Sequence, residues 1–172
     1  MTLILADKAF VGHIGADNRG SKFNGPYQFL GGVTVNSLLG DNSRAGLKGV
    51  LTSQTEELLF LNAFYDLPIN QEGTRLFFSS SVSESEPGST LKQFDINGDS
   101  TSITLRLTHP FLRSRGKNLT GHLGFSGRNS TTKILGSLDS EDRLRVMNMG
   151  VSYDYADKYK GVNLIRLNLS KG

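Results

Sequence analysis

The chain alternates. Apolar and polar side chains exchange places at every second residue through nine successive segments: 8–17, 26–38, 43–54, 58–67, 74–84, 101–112, 118–129, 143–156 and 162–170. A period of two marks a β-strand with one covered face. The apolar series reads Tyr27, Phe29, Gly31, Val33 and Val35 in the second segment, and Ile103, Leu105, Leu107, His109 and Phe111 in the sixth. In the eighth it reads Met147, Met149, Val151, Tyr153 and Tyr155. No Asp, Glu, Lys or Arg interrupts these series. Most segments run to about ten residues or more, whereas strands of soluble sheets are usually about five or six. Ten tilted residues are what a strand needs to cross a bilayer. A charge on the lipid side of such a strand would cost about 2–4 kcal/mol near the midplane. The pattern therefore predicts an all-β fold: an antiparallel meander of about nine long strands, part of a transmembrane β-barrel. The best helical candidate, residues 55–61, is too short and runs into an alternating stretch.

Hydropathy by itself reads differently. No run of about 18 apolar residues exists, so no transmembrane helix is expected. Barrel strands carry a much weaker hydropathy signal, and their absence from such a scan means little. The apolar run Leu3, Ile4, Leu5 and Ala6 lacks a basic flank and a small-residue cleavage site, so no secretory signal is visible. A soluble β-sandwich or barrel acting as a binding module is the alternative, with the same apolar faces as its core.

The connections alternate in length. Residues 39–42, 68–73, 113–117 and 157–161 form short turns, and 18–25, 55–57, 85–100 and 130–142 fall between them. Two of the latter are long and polar. Short turns on one side and longer loops on the other is the outer-membrane barrel pattern. Tyr65, Phe111 and Tyr155 lie near strand ends before short turns, and Tyr27 begins a strand beside a longer loop. Aromatic rings favour the membrane–water interface, so these are expected to form girdles.

Catalytic and metal chemistry find no support. The chain has no Cys, which excludes disulfides, thiol nucleophiles and Cys-ligated zinc. His13, His109 and His122 fall on separate strands with no local ligand spacing. The sequence from Asp95 to Asp99 resembles the start of a calcium loop, but Ser100 and Arg106 stand where Gly and Glu are needed. No acid–base pair stands out, so we expect no enzyme, no metal and no cofactor. The net charge is only +3 with no Lys/Arg block, and no nucleic-acid partner is expected.

Several motifs together resemble a known family. His109-Pro-Phe-Leu-Arg-Ser-Arg-Gly-Lys-Asn-Leu119 resembles the RSR-containing turn of the haemolysin secretion/activation proteins, the outer-membrane transporters of two-partner secretion. Asp17-Asn-Arg-Gly-Ser21, Asn24-Gly-Pro-Tyr-Gln28 and Asn36-Ser-Leu-Leu-Gly40 resemble the family's first hairpin. Tyr65-Asp-Leu-Pro68, Asp139-Ser-Glu-Asp-Arg-Leu144 and Tyr153-Asp-Tyr-Ala-Asp157 follow in order. His109 departs from the family's usual Tyr. The resemblance implies a sixteen-stranded barrel of the Omp85 superfamily, in the bacterial outer membrane, exporting a haemolysin- or adhesin-like exoprotein. Residues 1–172 would be one partial barrel domain, without the periplasmic POTRA domains and the C-terminal strands. Its partners would be the unfolded exoprotein, outer-membrane lipids, and those missing strands and POTRA domains. Strand one would start from the periplasm, placing the short turns there.

The polar faces carry Arg44, Lys48, Arg75, Arg106, Arg128 and Arg166 against Asp66 and Asp154. These basic residues are expected to line the lumen. They either hold an exported chain through weak contacts or pair with carboxylates on strands elsewhere. Arg113 and Arg115 belong to a periplasmic turn. They are expected to contact substrate or a POTRA domain, or else to anchor the turn at lipid headgroups or pair with carboxylates.

Overall fold

The computed structural model describes residues 9–38, 40, 42–157, 159 and 161–172. Nine strands follow in order: β1 (Phe10–Asp17), β2 (Gln28–Asn36), β3 (Arg44–Thr52), β4 (Leu59–Pro68), β5 (Arg75–Ser85), β6 (Asn97–Arg113), β7 (Lys117–Ile134), β8 (Ser137–Ala156) and β9 (Val162–Lys171). They form one sheet in chain order, β1 and β9 at its edges. Every neighbouring pair is antiparallel. The N-terminal run from Leu3 to Ala6, and Lys8 of the first expected segment, lie outside the described residues.

One sheet has two faces, and no described element packs across either of them. Among the described residues no hydrophobic side chain is buried. A soluble sandwich or closed soluble barrel would bury the face that carries Phe29, Leu47, Leu61, Leu105, Met149 and Leu167, yet all of these are exposed. The open sheet gives the soluble alternative no support.

Register explains which residues share a face. Leu105 pairs with Phe78 and Phe125, and Phe125 pairs with Met147. These four residues are all apolar. One position along, Thr104 pairs with Ser79 and Ser126. A slip of one residue would exchange the faces, so the alternation itself fixes the register.

Three strands run longer than expected. β6, β7 and β8 have 17, 18 and 20 residues. On β6 the apolar face extends only from Leu112 to Ile103, about ten residues and one bilayer crossing. Beyond it the same face turns polar, through the rows Val82–Thr101–Asn129–Arg143 and Glu84–Asp99–Thr131–Glu141. The hairpin thus stands clear of any apolar band.

The expected long loop at 130–142 is therefore a correction. Both strands continue through it and reverse at Leu135 and Gly136, whose φ values of 52° and 73° suit a two-residue hairpin turn. Polar residues on both faces read as a loop, although Thr131 and Thr132 favour a strand. The 85–100 connection holds a 3-10 helix, Ser89–Phe94, which periodicity did not show. Connections at this end are stitched together: the Gly88 amide donates to the Phe23 carbonyl, Glu86 to Glu56, and Leu135 to Phe94.

A bulge interrupts β6. Its pairing with β7 jumps from Pro110–Thr120 to Leu112–Leu119 and leaves Phe111 as an extra residue. Phe111 lies over Gly121 on the apolar face, where a Cβ would meet its ring at 2.7 Å. The His109 ring meets it edge-on, with centroids 4.8 Å apart.

Candidate functional site

The polar face is the chemically differentiated surface. Arg44, Lys48, Arg75, Arg106, Arg128 and Arg166 pair opposite Asp66, Asn62, Thr108, Gly124, Leu144 and Ser152 respectively, all on one face. The structure brings two of the six onto a shared partner. Arg44 Nη2 donates to Asp66 Oδ2 at 2.8 Å, and Arg75 Nε donates to Asp66 Oδ1 at 2.9 Å. Arg75 also donates to the Asn42 carbonyl, which ties the β2–β3 turn into the cluster. Asp66 is buried, while the Arg44 side chain remains 58% exposed. Two guanidiniums on one carboxylate leave an excess positive charge.

The remaining basic residues have other surroundings. Lys48 Nζ stands 5.5 Å from the centre of the Phe64 ring, within cation–π range. Arg128 Nε donates to Ser100 Oγ at 3.0 Å. Asp154 accepts from the Asn118 amide at 2.7 Å. The alternation reads this face as polar, yet it carries an aromatic inset. Phe64 and Phe77 stack at 6.4 Å, with Phe60 on the same face. The signal was present, since Phe60, Phe64 and Phe77 sit out of phase with Leu59, Leu61 and Leu76. A stretch apolar in both phases hides the polar phase.

Between these groups the face is hydroxyl-rich. Ser79, Ser81 and Ser83 of β5 pair with Thr104, Ser102 and Ser100 of β6. Ser81 and Ser102 share a hydrogen bond of 2.8 Å. Such a strip offers weak donors and acceptors without fixed charge.

At the short-turn end, aromatic residues gather on the apolar face. Tyr153 and Tyr155 stack at 5.4 Å, and Lys117 pairs opposite Tyr155. Thr74 Oγ1 and His109 Nδ1 lie 2.7 Å apart, linking the β4–β5 turn to β6. Arg115 lies in the β6–β7 turn, exposed. Arg113 ends β6 opposite Asn118, on the polar face. In the β8–β9 turn, Asp157 Oδ1 accepts from the Tyr159 and Gly161 amides at 2.8 and 2.9 Å. Those two amides, Gly161 first, together with the Asn163 side chain, hold the Asp157 carboxyl below the ordinary aspartate range.

Against known proteins, residues 6–172 match the family described as haemolysin secretion/activation protein ShlB/FhaC/HecB. The chain belongs to this family. The ShlB/FhaC/HecB assignment agrees with curated relatives from Haemophilus influenzae, both named heme/hemopexin transporter protein HuxB. The protein of strain 86-028NP is 27% identical over 124 residues, which is 72% of this chain and 22% of HuxB. That of strain KW20 is 25% identical over 126 residues, 73% of this chain and 22% of HuxB. The chain thus spans about a fifth of the length of these relatives. Among solved structures, CdiB from Acinetobacter baumannii superposes with a TM-score of 0.59 at 16% identity, over 94% of this chain and 31% of CdiB. That likeness is one of fold, and it extends the all-β meander to another protein.

Proposed function

We propose that this ShlB/FhaC/HecB chain is a wall segment of an outer-membrane barrel that exports a large exoprotein by two-partner secretion. One observation carries the reading: a strand-wide apolar face with no described element packed on it, about one bilayer crossing tall. In water such a patch would drive association. Against lipid it is satisfied. The polar face then lines an aqueous lumen, with Arg44, Lys48, Arg75, Arg106, Arg128 and Arg166 along it. Short turns face the periplasm and the longer hairpins the outside. In this reading residues 1–172 are one part of the barrel domain, and further strands and POTRA domains complete the transporter. The Asp66 cluster supports a bracing role for Arg44 and Arg75, through a partner within the chain itself.

The mechanism is physical rather than chemical. An unfolded chain in a lumen of hydroxyls and exposed guanidiniums makes many weak, exchangeable contacts and no tight one. The test is export. Cells carrying the full-length gene and its cognate exoprotein should release that exoprotein into the medium, and cells lacking the transporter should not. Equal release from both would overturn the proposal.

A further inference from the structure

We infer that the periplasmic half of the polar face is a cationic mouth that engages acidic, extended segments of the exported polypeptide; this rests on the conduit reading above. The decisive feature is the β6 bulge. Up to His109, odd-numbered residues of β6 lie on the apolar face: Ile103, Leu105, Leu107 and His109. Continued alternation would put Arg113 there too. The extra residue Phe111 shifts the phase by one, so Leu112 pairs with Leu119 on the apolar face and Arg113 pairs with Asn118 on the polar one. Asn118 in turn pairs with Asp154. Phe111 itself remains on the apolar face over Gly121. A bulge that keeps both hydrophobic residues in lipid and turns the arginine inward acts as an aiming device.

Arg113 joins a lopsided charge distribution. Toward the short turns, the polar face carries Arg44, Arg75, Arg106, Arg113 and Arg166 against Asp66 and Asp154, five positive and two negative. Toward the long hairpins it carries Lys48 and Arg128 against Asp17 and Asp142, two and two. Neither carboxylate at the mouth is idle: Asp66 holds two arginines, and Asp154 accepts from Asn118. The excess charge is therefore at the entrance, followed by the hydroxyl strip. Acidic segments are drawn in by the field of the mouth. Each exposed arginine–carboxylate contact is weak and exchanges readily. The hydroxyl strip beyond carries no charge of its own, and the charges at its level, Lys48 and Arg128 against Asp17 and Asp142, are evenly matched.

Planar-bilayer recordings of the full-length transporter test this, with oligoglutamate and oligolysine peptides as probes. Oligoglutamate added on the periplasmic side should block current at about tenfold lower concentration than from outside, and oligolysine should not block. The combined Arg106→Gln, Arg113→Gln, Arg166→Gln variant should lose that asymmetry while keeping heat-modifiable gel migration, since lumen substitutions are tolerated. In a cysteine-free background, Arg113→Cys should weaken the block, and a cationic thiosulfonate reagent, unlike a neutral one, should restore it. Equal block from both sides, or block unchanged in the variants, would overturn the inference and leave the conduit reading standing. A protein that assembles but conducts no current would overturn both.

Discussion

Phe64 of β4 occupies the space directly over Gly46 of β3 on the polar face, so that a Cβ at Gly46 would run into the ring. The two residues are cross-strand partners. Lys48 reaches the same ring, and Phe77 stacks beside it. The ring is thus held between a glycine, a lysine and a second ring. Gly46→Val should overpack it and destabilise the assembled barrel by about 1–3 kcal/mol. Phe64→Ala combined with Gly46→Val should recover part of the loss. The denaturant midpoint of the full-length protein measures both.

Asp66 supports a different expectation. Asp66→Ala removes the carboxylate that both Arg44 and Arg75 contact. The loss should be about 1–3 kcal/mol, tempered by the exposure of Arg44. Asp66→Asn keeps one acceptor and should be milder. If Asp66→Ala unfolds at the same denaturant concentration as the wild type, the cluster does not brace the wall.

The β8–β9 turn should respond to acid. Asp157 has its carboxyl held below the ordinary range by the Gly161 and Tyr159 amides. Its contribution to the turn is therefore complete above the unfolded aspartate value, about 3.9, and is lost as pH falls through the lower folded value. Protection of the Gly161 amide from hydrogen exchange should fall in that acid window. In Asp157→Ala protection should be low at every pH. An acid profile unchanged by the substitution would show that another group controls the turn.

Open edges set a fourth expectation. Among the described residues β1 and β9 have no outer partners in this sheet. In lipid, an unpaired edge leaves backbone groups unsatisfied at several kcal/mol each. The 172-residue chain refolded alone into detergent or liposomes should aggregate or associate through these edges. A protease-resistant, heat-modifiable monomer would contradict this.

Much of this architecture was legible in the sequence, because a period of two and a charge-free face are both local properties. Met147, Met149 and Val151 announced β8 and its face without any long-range information. Its outer half was not legible. From Asp139 to Arg143 both faces are polar, which is normal for a strand in water but removes the alternation that identifies one. The bulge was hidden for a related reason: Phe111 and Leu112 are both hydrophobic, and only pairing with β7 shows which is the extra residue. The six basic residues were placed on one face by counting alone. Counting could not show that Arg44 and Arg75 converge on Asp66, since this depends on three strands in register.

The central claim is that odd-numbered residues of β6 from Ile103 to Leu107 touch lipid and their even neighbours touch water. Single cysteines at residues 102 to 107, labelled with a small fluorophore in the full-length protein in liposomes, test it most directly. Brominated lipid should quench the label at 103, 105 and 107, and aqueous iodide should quench it at 102, 104 and 106. Leu105→Arg should correspondingly impair assembly, at about 2–4 kcal/mol, far more than Thr104→Arg. Quenching without a period of two, or with the two phases exchanged, would contradict the account.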